Sequence, residues 1–95
     1  MNPNSVKSII SGSVSIANAN VAVALLTKSQ GCIQIVISAL PTNVDAVYLG
    51  FSGVTTGTGI QLVPTQSVTI SIADISKLYI VGVNASDGVS FGYYI

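Results

Sequence analysis

The sequence predicts an all-β fold, a small antiparallel β-sandwich of jelly-roll or immunoglobulin-like type with seven or eight short strands. Three observations carry this. Val, Ile, Ser and Thr dominate, while the helix formers Glu and Arg are missing altogether. Short apolar runs recur roughly every 8–12 residues, parted by Gly, Pro, Asn, Asp and Ser, which is the spacing of a sandwich or barrel. Several runs alternate apolar and polar residues, as a strand with one wet face must.

Taken in order, "GSVSI" (12–16) points Val14 and Ile16 inward and Ser13 and Ser15 outward. "NVAVALL" (20–26) follows, and "TKSQG" (27–31) turns the chain. "CIQIVISAL" (32–40) sets Ile33, Ile35 and Ile37 on one face, and Pro41 stops it. "VDAVYLG" (44–50) is the next strand. The Gly/Thr stretch after it reads as a long connection whose glycines allow positive φ. "IQLV" (60–63) and "SVTISI" (67–72) follow, the latter with Val68, Ile70 and Ile72 on the buried side. "ADIS" (73–76) reads as one helical turn that Asp74 caps. "KLYIVGV" (77–83) and "VSFGYY" (89–94) close the chain, and the Asp87-Gly88 pair between them predicts a hairpin. All 95 residues form a single domain, with residues 1–11 as a polar, flexible N-terminal arm.

Charge is scarce. Only 6% of residues are charged, against about 25% in an ordinary domain. The three lysines (Lys7, Lys28, Lys77) and three aspartates (Asp45, Asp74, Asp87) are dispersed. A nucleic-acid backbone needs clustered cations, so no nucleic-acid partner is expected. The longest apolar run, Val21–Leu26, is too short for a membrane helix, and no membrane insertion is expected. The opening "MNPNSVKSII" has no cationic end leading into an apolar core and cleavage site, so no signal peptide is read.

Candidate chemistry is thin. Cys32 is the single cysteine and histidine is absent, so neither a disulfide nor a histidine-activated thiol or serine is available. Cys32 reads as a packing residue. "GVTTGTGIQL" lacks the lysine of a phosphate loop, and "GTGIQL" lacks the third glycine of a dinucleotide fingerprint and leads into a strand. The aspartates lie in no calcium-loop pattern; Asp87 with loop carbonyls is the one alternative to a turn. No enzyme activity, cofactor or metal is expected. Of Tyr93 and Tyr94, one ring faces the core and one faces out. An exposed tyrosine beside the Gly/Thr stretch suits a sugar face, which keeps a carbohydrate- or receptor-binding module as the alternative function.

One feature departs from an isolated sandwich. "VAVALL", "AVYL" and "LYIVGV" are apolar on both faces. A two-layer fold has two inner faces, so the surplus is covered either by the chain's own loops or by another subunit. The expected homo-oligomer interface comprises Val21, Val23, Leu25, Tyr79, Val81, Val83 and Tyr94.

The stretches "ALPTN", "VYLGFSGVTTGTGIQLVPTQSVTI", "ADISKLYIVGV" and "SDGVSFGYY" together resemble a small module of bacteriophage virion proteins, over about two thirds of the chain. The resemblance rests on turns and strands and on no catalytic residue. It implies a non-enzymatic structural protein that decorates a head, forms a penton or spike, or joins a tail or fibre, with the Gly/Thr stretch as a connector from one sheet to the other. It also implies other virion or capsid proteins as partners, synthesis in a host cytoplasm and residence in the virion. Members of that family usually carry more charge than this chain.

Overall fold

A computed structural model describes residues 8–95. Eight strands follow one another: β1 (Ile9–Ser15), β2 (Val23–Ala24), β3 (Gln34–Ala39), β4 (Val47–Gly50), β5 (Ile60–Leu62), β6 (Ser67–Ile70), β7 (Tyr79–Gly82) and β8 (Gly88–Tyr94). A single 3₁₀ turn, Ile75–Lys77, separates β6 from β7. The strands build two four-stranded antiparallel sheets. Sheet A has the order β1-β8-β3-β6 and sheet B the order β2-β7-β4-β5.

The pairing has a simple rule. β1 pairs with β8, β2 with β7, β3 with β6 and β4 with β5, all antiparallel. The chain is thus one long hairpin, rolled up so that β3 meets β8 and β4 meets β7. That is the jelly roll. It decides between the two sandwich types the sequence allowed.

Alternation places the core. Residues directly opposite one another share a face. In sheet A, Ile35, Ile37 and Ala39 of β3 stand opposite Tyr93, Phe91 and Val89 of β8, and all six are buried. In sheet B, Val47 and Leu49 stand beside Leu62, Ile80 and Gly82. Ile16, Leu25, Ile75 and Leu78 fill the ends of the same cluster. Phe91 and Tyr93 stack with ring centroids 6.2 Å apart. Phe91 also crosses to β1, where its ring lies over Gly12; a Cβ there would come within 2.9 Å of it. Val14, Val68, Ile70 and Ile72 pack against the core as their alternation predicts, and so does Cys32.

Five expectations are corrected. The Gly/Thr stretch does not pass between sheets: β4 and β5 are neighbours in sheet B, so residues 51–59 form the loop of a hairpin. The Thr55 and Thr58 side chains and backbone bind one another within it. Conversely, Asp87-Gly88 makes no hairpin, because β7 lies in sheet B and β8 in sheet A. The segment crosses the sandwich instead. The strand expected over residues 20–26 shrinks to Val23–Ala24, since the chain is here switching sheets. Ile33 precedes β3 and is exposed, unlike Ile35 and Ile37. Of the expected N-terminal arm, Ile9–Ser11 belongs to β1 and is paired with Tyr94, Tyr93 and Gly92; residues 1–7 lie outside the described residues.

Candidate functional site

The two outer faces differ in chemistry. On sheet A the outward side chains are Ser11, Ser13 and Ser15 of β1, Ser90 of β8, Gln34 and Ser38 of β3, and Ser67 and Thr69 of β6, with Ile9, Val36 and Tyr94 among them. On sheet B they are Ala24 of β2, Tyr79 and Val81 of β7, Tyr48 of β4 and Gln61 of β5, with Val83 just beyond β7. No charged residue sits within the strands of either sheet. The charges of sheet B lie at its rims: Asp74 and Lys77 at one end, Asp45 at the other.

The seven residues read from sequence as an interface do not form one patch. Tyr79, Val81 and Val83 share the outer face of sheet B. Val23 stands opposite Ile80 on the inner side, and Leu25 is buried in the core. Tyr94 lies on the outer face of sheet A, and Val21 is exposed ahead of β2. Val81 is 1% exposed, so the isolated chain covers it already. Val83 is 45% exposed and Tyr79 half-buried, so the chain leaves those two partly uncovered. Tyr93 is the core tyrosine of its pair and Tyr94 the outward one. The tyrosine beside the Gly/Thr loop is Tyr48, whose Cβ lies against Gly59.

Grooves open at both ends of the sheet B face. One of about 890 Å³ is lined by Ala24, Leu26, Phe51, Tyr79, Asp74 and Lys77. The other, of about 370 Å³, is lined by Val44, Asp45, Tyr48, Gln61 and Val83. Phe51, immediately after β4, is 64% exposed. It also lines a third, apolar groove with Ile60, Ile70, Ile72 and Leu78, in the open seam between β5 and β6. No sequence pattern singles out Phe51. Its exposure follows from its place after Leu49 and Gly50, where the chain leaves the sheet.

Asp74 at the rim is held as an anion. Its carboxylate accepts from the Ser29 hydroxyl at 2.7 Å, the Ser76 hydroxyl at 2.8 Å, the Ser76 amide at 3.0 Å and the Gln30 amide at 3.2 Å. These bonds, the Ser29 hydroxyl first, hold the carboxyl well below the usual carboxylate range. A carboxylate so placed is a poor proton acceptor at neutral pH. Its work is structural: it caps the 3₁₀ turn, as its position in "ADIS" predicts, and it ties that turn to the 29–30 loop. Burial raises the Cys32 thiol above its ordinary value, and its Sγ contacts the Ile72 carbonyl oxygen at 3.4 Å. Such a thiol is a weak nucleophile.

The opposite end is closed by a polar lock. The Asn43 side chain accepts from the Gly88 amide at 2.8 Å and donates to the Gly88 carbonyl oxygen at 2.9 Å. Asp87 is buried, and its carboxylate accepts from the Val44 and Asp45 amides at 2.9 and 3.1 Å. Both residues serve the backbone of a loop 42–45 positions away. No local pattern announces such a contact. Among the described residues no group of three or more His, Cys, Asp or Glu side chains comes together, and no helix is long and apolar enough to cross a membrane.

Compared with known proteins, the chain matches no family model, no curated protein and no solved structure.

Proposed function

We propose that this chain is a non-enzymatic structural subunit that self-associates through the outer face of sheet B, as a virion module of bacteriophage type. The observation that carries the reading is the contrast between the two outer faces. One is mostly serine and threonine, with Ile9, Val36 and Tyr94 set among them. The other presents Tyr48, Tyr79 and Val83 on a strand scaffold without charge, with its charges confined to the rim. An apolar, aromatic centre inside a polar rim is the composition of a protein interface. Tyrosine is one of the residue types enriched among interface anchors.

The virion setting rests on the sequence resemblance, and the jelly roll suits it, being a fold common in capsid subunits. Fold alone names no function. The setting implies other capsid proteins as neighbours and host-cytoplasmic synthesis. Sedimentation equilibrium at micromolar concentration tests the association. The wild-type chain is expected to exceed its 9.7 kDa monomer mass, and the Tyr79→Ser/Val83→Ser double variant is expected to lose mass. A wild-type monomer at these concentrations contradicts the reading.

A second reading has one observation in its favour. Phe51 and Tyr79 line the groove of about 890 Å³ together with Asp74, Ser76 and Lys77. Aromatic surface beside polar groups is what a sugar ring needs. Glycan-array binding that disappears in Phe51→Ala would establish this role; an array without binders removes it.

A further inference from the structure

We infer that the free edge of β1 is a second self-association site, at which two copies join their A sheets by antiparallel β1–β1 pairing. β1 is the outermost strand of sheet A, and among the described residues no strand pairs with its outer side. The hydrogen-bond parity is set at its ends. Ser8 and Ile95 exchange both backbone bonds, and the Ile16 amide donates to the Asp87 carbonyl oxygen. Even-numbered residues of β1 therefore bond to β8, and the amides and carbonyls of Ile9, Ser11, Ser13 and Ser15 point away from the sheet.

This edge differs from the other three. It is seven residues long, whereas the edges β6, β5 and β2 have four, three and two. Pro64 lies in the turn between β5 and β6, outside both strands. β1 carries no charge and no proline. Among the described residues it has none of the devices that keep an edge from pairing.

The occupant that fits is a second copy, because the edge complements itself. A two-fold axis at Gly12 pairs Ile9 with the partner's Ser15 and Ser11 with the partner's Ser13. All four outward residues of each strand are then used, giving about eight inter-chain hydrogen bonds; moving the axis to Ser11 or Ser13 loses some of them. The same register sets Ile10, 37% exposed in the single chain, against the partner's Val14 on the inner side. Apolar meets apolar, and hydroxyl meets hydroxyl. No charge opposes the approach, and the whole chain has a formal net charge of zero. The interface is isologous and closes after two copies.

The edge is tested separately from the face by working in the Tyr79→Ser/Val83→Ser background. There the chain is expected to remain a dimer by sedimentation, with slow hydrogen exchange at the amides of residues 11 and 13. Ser13→Pro removes an amide that points outward and leaves every β1–β8 bond in place. It is expected to weaken the dimer roughly tenfold or more. Ser11→Lys/Ser13→Lys keeps the backbone intact and guards against misfolding of the proline variant. It is expected to be monomeric alone and to dimerise on mixing with Ser11→Asp/Ser13→Asp. A dimer that tolerates both changes overturns the inference, as does a monomer in the background variant. If that monomer still has slow exchange at 11 and 13, a strand from the same chain covers the edge instead. A background variant that keeps the full wild-type assembly refutes the face reading alone, leaving the edge to be judged by Ser13→Pro.

Discussion

The outer faces of sheets A and B are built on the same scaffold and ask different things of water. On sheet A the pleat alternates with one exception in β3: Ile35 and Ile37 turn inward and Gln34 and Ser38 turn outward, while Val36 is an apolar residue on the outer side. On sheet B, β7 reads Tyr-Ile-Val-Gly, and both Ile80 and Val81 are buried although they point to opposite sides. The chain's own atoms cover Val81, whereas they leave Val83 45% exposed and Tyr79 half-buried. The lesson is that surplus apolar strand surface is divided. Some of it is buried by the chain itself, as at Val81, and some stays exposed, as at Val83.

The sharpest way to break this contrast is to treat the two outer faces alike. Val81→Ser removes buried methyl groups and places a hydroxyl where water does not reach. It is expected to cost about 3 kcal/mol in urea unfolding, with a cavity and a polar burial contributing together. Val36→Ser, at the half-buried outer centre of sheet A, is expected to cost less than about 1 kcal/mol. Both are to be measured at concentrations where the chain is monomeric, so that association does not enter. Equal costs would mean that the two faces are equivalent.

A smaller effect concerns the turn that joins the sheets between β5 and β6. Thr65 has a φ of +74°, in the left-handed region, where a β-branched residue is strained. Its amide donates to the Ala39 carbonyl oxygen, which holds it there. Thr65→Gly is expected to raise stability by about 1 kcal/mol, read as a rise in Tm. A loss would show that the Thr65 side chain makes a compensating contact.

The smallest effect lies at the rim of sheet B. The folded Asp74 carboxyl is held below its unfolded range, so the unfolded chain binds more protons as pH falls. Its stabilisation is therefore complete above about pH 5, and it declines as pH drops below the ordinary aspartate value near 3.9 toward the lower folded one. Asp74→Asn is expected to flatten the acid limb of a stability-versus-pH curve without moving the neutral plateau's shape. An unchanged acid limb would remove Asp74 as its source.

How much of this was legible in the sequence follows from the range of each interaction. Strands such as "SVTISI" and "GSVSI" were readable because alternation is local, and Asp74 was readable because a cap acts two residues away. Sheet membership was not. The Gly/Thr stretch and the Asp87-Gly88 pair look like a connector and a hairpin by their turn chemistry, yet the roll assigns them the reverse roles. Asn43 and Asp87 were invisible as a lock because their partners lie more than 40 residues off. The apolar surplus was visible as composition, but its division was not. Val23 turns inward because the register sets it opposite Ile80, and Leu25, just past β2, is buried in the core.

Oxidative footprinting of tyrosines across a concentration series tests the central claim most directly. Tyr48 and Tyr79 lie on the outer face of sheet B, Tyr94 on that of sheet A, and Tyr93 in the core. The account predicts that Tyr48 and Tyr79 become protected as concentration rises, while Tyr94 keeps its reactivity and Tyr93 stays unreactive throughout. Tyr48 and Tyr79 remaining as reactive as in the dilute chain, at concentrations where the mass shows assembly, would contradict it.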